Sequence, residues 1–161
     1  MFCPTIIFRT CDRLPAFSVH RVRFGTLARQ LDLLRAYLDL IAMRMGDRLA
    51  WSVDAPPDLL AVTVPPMLLQ PVVENAIKHG LEPKMEGGRV DVRARREDGR
   101  LVLTVVDTGL GVASTRRSDS TGLGLANLRA RLSAMFGGDA DLKLRDHAPA
   151  GTEATVVIPL R

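Results

Sequence analysis

Asn75, Lys78 and His79 fall in the segment ENAIKHG. Spacings of three and four residues place all three on one face of a helix. An amide oxygen suits Mg²⁺, a hard cation that prefers oxygen ligands, and a lysine beside it neutralises phosphate oxygens. By themselves the three also make an ordinary polar helix face. Next comes DTGLG, Asp107 to Gly111, at the end of a strand-like run. A carboxylate buried there accepts hydrogen bonds and donates none, so it can select an exocyclic amino group such as that of adenine. Gly109 and Gly111 permit positive φ and close backbone approach, although the same residues also fit a plain turn. GLGL, Gly122 to Leu125, opens a helix whose first amides attract phosphate. Gly151 and Thr152 begin the last strand, where the threonine hydroxyl can bond a ligand or water. Each signal is modest alone; the order and spacing of the four are not.

The elements that must position them follow from periodicity. Leu27, Leu31, Leu34, Leu38, Ile41 and Met45 step by 4, 3, 4, 3 and 4 residues, which predicts an amphipathic helix. Thr26 is its N-cap and Gly46 follows its end. Such a stripe packs a helix on its own domain, or also against a second subunit; the sequence leaves both open. Residues 48–53 alternate as a strand, and 59–64 suggest a second. Pro65-Pro66 opens a helix running to about Lys78, with Pro66 near its first position and Gly80 just past its end. Pro71 lies inside that run, so its first turn is distorted or starts late. Residues 89–96 and 100–107 form a hairpin through Asp98-Gly99. A helix over 123–136, ended by Gly137-Gly138, and strands near 140–145 and 153–159 complete the chain. The expected fold is an α/β two-layer sandwich: a mixed, mostly antiparallel sheet with helices on one face.

Composition narrows the classes. The 161 residues suggest one domain with a short appendage. The net charge is +4, but the tightest basic cluster, Arg93, Arg95, Arg96 and Arg100, flanks the hairpin turn and reads as a solvated face. One tryptophan, one tyrosine and five phenylalanines give few platforms for stacking bases, so no nucleic-acid partner is expected. Two cysteines, Cys3 and Cys11, make neither a disulfide framework nor a zinc pattern. No apolar run approaches the ~18 residues of a membrane span, and no signal peptide is legible. The expectation is a soluble, cytoplasmic chain. It divides into an unassigned segment 1–24, an amphipathic linker helix 25–46 and a domain 47–161 that carries all four motifs.

The four boxes in this order resemble the N, G1 and G2 boxes of the GHKL ATP-binding superfamily, the Bergerat-type fold of histidine-kinase ATPase domains. VPPMLLQPVVENAIKHG, with LDLLRAYLDLIAMRMGDRL before it and GLGLANLRARL after it, is similar to the LytS/YehU-type sensor histidine kinases over about residues 24–160. The resemblance implies ATP and Mg²⁺ as ligands and makes residues 47–161 the ATP-binding catalytic domain. In it Asn75 coordinates the metal, Lys78 and His79 lie near the phosphates, and Asp107 takes the adenine amino group. Gly109, Gly111, Gly122 and Gly124, with Leu125, shape the pocket and hinge a lid, and Thr152 supports the adenine end. It implies a protein histidine kinase in a two-component system. Its partners would be a phosphoacceptor-histidine helix on the same or a paired subunit, a response regulator indirectly, and a second copy in a homodimer.

Two departures qualify this. Nothing resembles the family's NPHFLFN-like acceptor segment, and His20 lacks its neighbours. The chain alone is therefore not expected to autophosphorylate, and it reads as a fragment, a truncated product or a degenerate kinase. The alternative is a nucleotide-dependent binding module without phosphotransfer. Superfamily hydrolases carry a glutamate four residues before the box asparagine; here that position is Pro71. Glu74, adjacent to Asn75, is rotated about 100° from it on a helix of 3.6 residues per turn. A stand-alone hydrolase is thus poorly supported, whereas neutral imidazole carries a free lone pair near pH 7. Finally, residues 112–121 are small and polar, with Arg116 and Arg117 between glycines. They bury too little to offset the ordering cost of about 1–2 kcal/mol per residue; the expectation is an ATP lid, with a plain flexible surface loop as the alternative.

Overall fold

The computed structural model describes residues 24–112 and 122–160. Most of the segment read as a lid, and nearly all of the N-terminal segment with His20, Cys3 and Cys11, lie outside them.

Helix α1 runs over Leu27–Met45. Thr26 caps it, accepting the Arg29 amide at 3.3 Å, and Gly46 ends it at φ 61°. Two further N-terminal amides, of Leu27 and Ala28, donate to the carbonyls of Val62 and Leu60. That arrangement explains a departure from the sequence reading. Residues 59–64 do not form a full strand, because Leu59, Leu60 and Val62 turn their amides onto Pro56, Pro57 and Leu59. Only Thr63–Val64, strand β3, pairs, antiparallel to β1 at Gly25–Thr26.

The main sheet comprises β2 (Leu49–Asp54), β4 (Gly88–Glu97), β5 (Arg100–Asp107), β6 (Asp141–Asp146) and β7 (Thr152–Pro159). Its order is β2-β4-β5-β7-β6. Only β2 with β4 is parallel. Asp98 and Gly99 both take positive φ, 48° and 73°, as a tight hairpin twisted with its strands requires. Val90, Val92, Leu101, Leu103, Val105, Val156 and Ile158 point to one buried face. The alternate residues, such as Arg93, Thr104 and Thr155, face outward. Arg93, Arg95, Arg96 and Arg100 are all exposed.

Three helical elements close the buried face. Leu27, Leu31, Leu34, Leu38 and Met45 of α1 belong to the same core as the strands. So do Val72 and Val73 of α2 (Gln70–Asn75), and Leu125, Leu128 and Leu132 of α3 (Gly122–Phe136). The architecture is the expected two-layer α/β sandwich.

The second helix corrects the sequence reading. It starts at Gln70, not near Pro66, which places Pro71 in its first turn. There the missing amide is one of the helix's unbonded donors and the ring meets no preceding turn. Nor does Gly80 lie past the helix end. From Ala76 to Leu81 the chain continues as a π-helix, its wider turn marked by the Glu82 amide reaching the Ile77 carbonyl five residues back. Such wide turns recur at functional sites.

Candidate nucleotide site

Asp107 ends β5 and is 2% exposed. One of its oxygens, Oδ1, accepts the amides of Gly109 at 2.8 Å and Thr152 at 3.3 Å. Among the described residues the other oxygen accepts no hydrogen bond, so it is available to a ligand amino group. Burial raises the Asp107 pKa above 3.8, against the opposing pull of the two amides, His147 and Lys84.

Glycines let three segments meet around this carboxyl. A Cβ on Gly109 would overlap the backbone of Gly80, and one on Gly80 would come within 2.9 Å of Asp107 Oδ1. Leu110 donates its amide to the Gly80 carbonyl at 3.2 Å. The π-turn is thereby seated directly on the DTG turn. Gly151, at φ 125°, leaves no room for a Cβ beside the Asp107 carbonyl. Gly111 has φ 84° and lies against Asp146, whose carboxylate accepts the Val112 amide at 2.9 Å. Thr152 is buried, and its amide donates to Asp107.

Beside this end lies an open cleft. Asn75, Lys78 and His79 line it, together with Pro71, Glu74, Gly124 and Leu125. The N-box residues and the start of α3 are thus brought together, as the motif order required. Gly122 is the first residue of α3, and Gly124 is exposed, with only Pro71 near where a Cβ would stand. Glu74 borders the same cleft despite its expected rotation, and its carboxylate accepts from Gln70 at 2.9 Å. Burial, and next Lys78, lower the His79 pKa below 6.5, with Glu82 opposing. Burial and the Lys78 charge both favour the neutral imidazole.

Asn75 Oδ1 is buried and, among the described residues, has no hydrogen-bond partner. A buried acceptor left unmade costs about 1–3 kcal/mol. An oxygen-seeking cation in the cleft removes that cost, and Lys78 supplies charge for the phosphates that accompany it. The residues present therefore fit a Mg²⁺–nucleotide pair.

Sequence reasoning missed Gly80 as a packing glycine and read it as a helix end. It also missed Gly88, where a Cβ would overlap Thr108 and Leu81, and Lys84, whose Nζ donates to the Thr108 carbonyl at 2.8 Å. The glycines were visible in the sequence as candidates for close approach. Nothing marked Lys84.

Comparison with known proteins agrees with this geometry. Residues 66–161 match the family model described as Histidine kinase-, DNA gyrase B-, and HSP90-like ATPase. The chain is 32% identical over 148 residues to the sensor histidine kinase YesM of Bacillus subtilis, covering 89% of this chain and 26% of that protein. It is 36% identical over 139 residues to the sensor histidine kinase BtsS of Escherichia coli K12, covering 86% and 24%. The chain thus spans about a quarter of the length of these relatives. The catalytic domain of the histidine kinase ThkA superposes with a TM-score of 0.66 at 15% identity, covering 86% of this chain and 98% of that one. That likeness shows the fold. From the family match and these relatives, the chain belongs to the histidine kinase-, DNA gyrase B- and HSP90-like ATPase family, in the form found in sensor histidine kinases.

Proposed function

We propose that the cleft binds Mg²⁺-ATP and presents its γ-phosphate to a histidine on another segment or subunit. Adenine lies toward Asp107, and the phosphates lie toward Asn75, Lys78 and His79. The observation that carries this reading is the orphaned, buried Asn75 Oδ1 in a cleft that also holds Lys78. The metal, held through Asn75, would neutralise charge on the phosphate oxygens. Lys78 does the same from the protein side. Gly109, Gly111, Gly122 and Gly124 shape the pocket, Leu125 closes its apolar wall, and Thr152 holds the Asp107 carboxyl in place.

In the transfer step the acceptor imidazole's lone pair attacks the γ-phosphorus. The bond from that phosphorus to the bridging oxygen breaks, and ADP leaves with the electron pair. No side chain has to deprotonate the nucleophile, which agrees with Pro71 standing where a base would be. The same reading makes the domain cytoplasmic, where ATP is found. It gives the domain a homodimeric parent kinase and, through the acceptor histidine, a response regulator.

Calorimetric titration with Mg²⁺-ATP tests the binding half, and saturable binding is the expected result. Its absence with the folded parent chain overturns the reading. The transfer half is tested by adding a phosphoacceptor segment from a LytS-type relative and following acid-labile phosphate on its histidine.

A further inference from the structure

Lys84 stands in the loop between the π-turn and β4, and its ammonium has an uncommon partner. Its Nζ donates to the Thr108 carbonyl at 2.8 Å, in a half-buried position. Among the described residues it makes no ion pair with a carboxylate. An ammonium is strongly hydrated, and moving it from water toward a backbone carbonyl alone costs free energy. The loop is built to hold it there. The Arg48 guanidinium donates to the carbonyls of Lys84 at 2.7 Å and Met85 at 2.8 Å, and it reaches that of Glu82 at 3.4 Å. The amides of Lys84 and Gly87 bond to the carbonyls of Leu81 and Lys84. Gly87, at φ 69°, lies so close to the Arg48 carbonyl that a Cβ would overlap it.

We propose that Lys84 is a positioning residue of the adenine end: through the Thr108 carbonyl it aims the Gly109 amide at Asp107, and so orients that carboxylate for a ligand amino group. The Thr108 carbonyl and the Gly109 amide belong to one planar trans peptide and point in opposite directions. Lys84 holds one end of this peptide at 2.8 Å, and Asp107 Oδ1 holds the other at 2.8 Å. The rest of Thr108 is fixed by β4. Its amide donates to the Arg89 carbonyl at 3.1 Å, and its hydroxyl accepts the Arg89 amide at 2.9 Å. The peptide that follows is the part left to rotate, and the glycine on its far side offers little resistance. Turned over, it would aim a carbonyl at the Asp107 carboxylate. Oδ1 would then keep only the longer bond from Thr152, at 3.3 Å. The ammonium opposes that turn, and by polarising the peptide it strengthens the amide's bond to the carboxylate.

The lysine's charge acts in the same sense. Burial makes Asp107 hold its proton more tightly, and the Gly109 and Thr152 amides, His147 and Lys84 oppose that effect. Among the described residues His147 and Lys84 are the charged or titratable side chains that act on this carboxyl, the first from the β6–β7 turn and the second from the loop before β4. Lys84 thus favours the ionised carboxylate, whose second oxygen is the acceptor that an amino group requires. Its role is in selecting the base, and it lies on the opposite side of the DTG turn from the phosphate-binding residues' own task of charge neutralisation.

The ligand arm of the test rests on the adenine reading of Asp107, and the titration arm needs no nucleotide. Both use the full chain with His147→Gln, so that the histidine's own titration does not enter. Circular dichroism verifies the fold of each variant. In carbon-13 NMR the Asp107 carboxyl of Lys84→Met should titrate about one pH unit higher than that of the chain that keeps Lys84, as expected on losing a neighbouring opposite charge. The Gly109 amide proton should move upfield as its bond to the carboxylate weakens. Calorimetry then compares Mg²⁺-ATP with the triphosphate of the same purine nucleoside lacking the 6-amino group. Lys84→Met should bind ATP roughly tenfold more weakly and the second triphosphate almost unchanged. Lys84→Arg, which keeps a charged donor, should stay near the chain with Lys84 for both. Equal losses for the two triphosphates mark a lysine that only braces its loop, and overturn the proposal. So do an Asp107 midpoint and a Gly109 amide shift that Lys84→Met leaves in place. If the chain with Lys84 binds both triphosphates equally, the adenine reading falls instead, and the NMR arm still decides the role of Lys84.

Discussion

Asp107 shows how a single residue serves ligand and fold differently. Its pKa is raised by burial, so the folded chain holds this proton more tightly than the unfolded chain does. The stability linked to that proton is complete below pH 3.8 and is lost as pH rises through the folded-state value. At neutral pH the ionised carboxylate is therefore a burden on the apo fold. Asp107→Asn keeps an acceptor oxygen for Gly109 and Thr152 and removes the charge. Expected outcomes are a melting temperature no lower than the parent's and an ATP affinity weaker by about 1–3 kcal/mol, read by thermal scan and calorimetry. The parent's affinity should also fall on acidification, starting above pH 3.8, because a protonated Asp107 loses acceptor capacity. Gly109→Ala acts through space instead of charge. Its methyl would overlap the Gly80 backbone, and such overpacking costs about 1–3 kcal/mol. Urea denaturation should show that loss. An unchanged midpoint would mean that the two turns are not in firm contact.

Among the elements, α1 and the α2–π segment do the most to place the site. The sequence reading treats α1 as a linker, separate from residues 47–161. In the structure its leucines share one core with the sheet and with α2. We therefore expect a chain cut to residues 47–161 to lose cooperative thermal unfolding, monitored by circular dichroism, because the core that the α1 leucines share with the sheet and α2 would be opened to water. A sharp transition in that truncated chain would establish the helix as dispensable. Within the full chain, Leu38→Ala should cost about 2–5 kcal/mol. Met43→Ala, on the exposed face, should stay within about 0.5 kcal/mol. The π-turn has a different task. It brings Gly80 onto Gly109 while Asn75, Lys78 and His79 line the cleft.

For the molecule as a whole, the cleft and the Asp107 end are built from α2, the π-turn, β5, β7 and α3, which pack on one core. A ligand bridging them stabilises the entire fold by mass action. Mg²⁺-ATP at a hundred times its dissociation constant adds about 2.7 kcal/mol. For a domain of this size that is a rise in melting temperature of roughly 5–10 °C. At the same ligand concentration Asp107→Asn, with its weaker affinity, should keep only about 0.3–1.8 kcal/mol of that stabilisation. A shift of equal size in both proteins would place the nucleotide elsewhere.

Much of this was legible from residues close together in the chain. Thr26 caps α1 through an amide three residues on, Gly46 ends it, and Asp98-Gly99 turns the hairpin; each depends on neighbours within a few positions. The box residues were legible for a related reason: their types and order follow the chemistry of a nucleotide. The sequence by itself therefore determined the fold class, the order of the elements and the family. Long-range contacts decided the rest. Leu60 and Val62 give their carbonyls to α1 in place of a strand partner. Pro71 and the contact of Gly80 with Gly109 set where the second helix begins and how it widens. The α1 stripe that the sequence marked is the one packing uses: Leu27, Leu31, Leu34 and Leu38 are buried in the domain, while Leu33, Leu40 and Met43 stay in solvent.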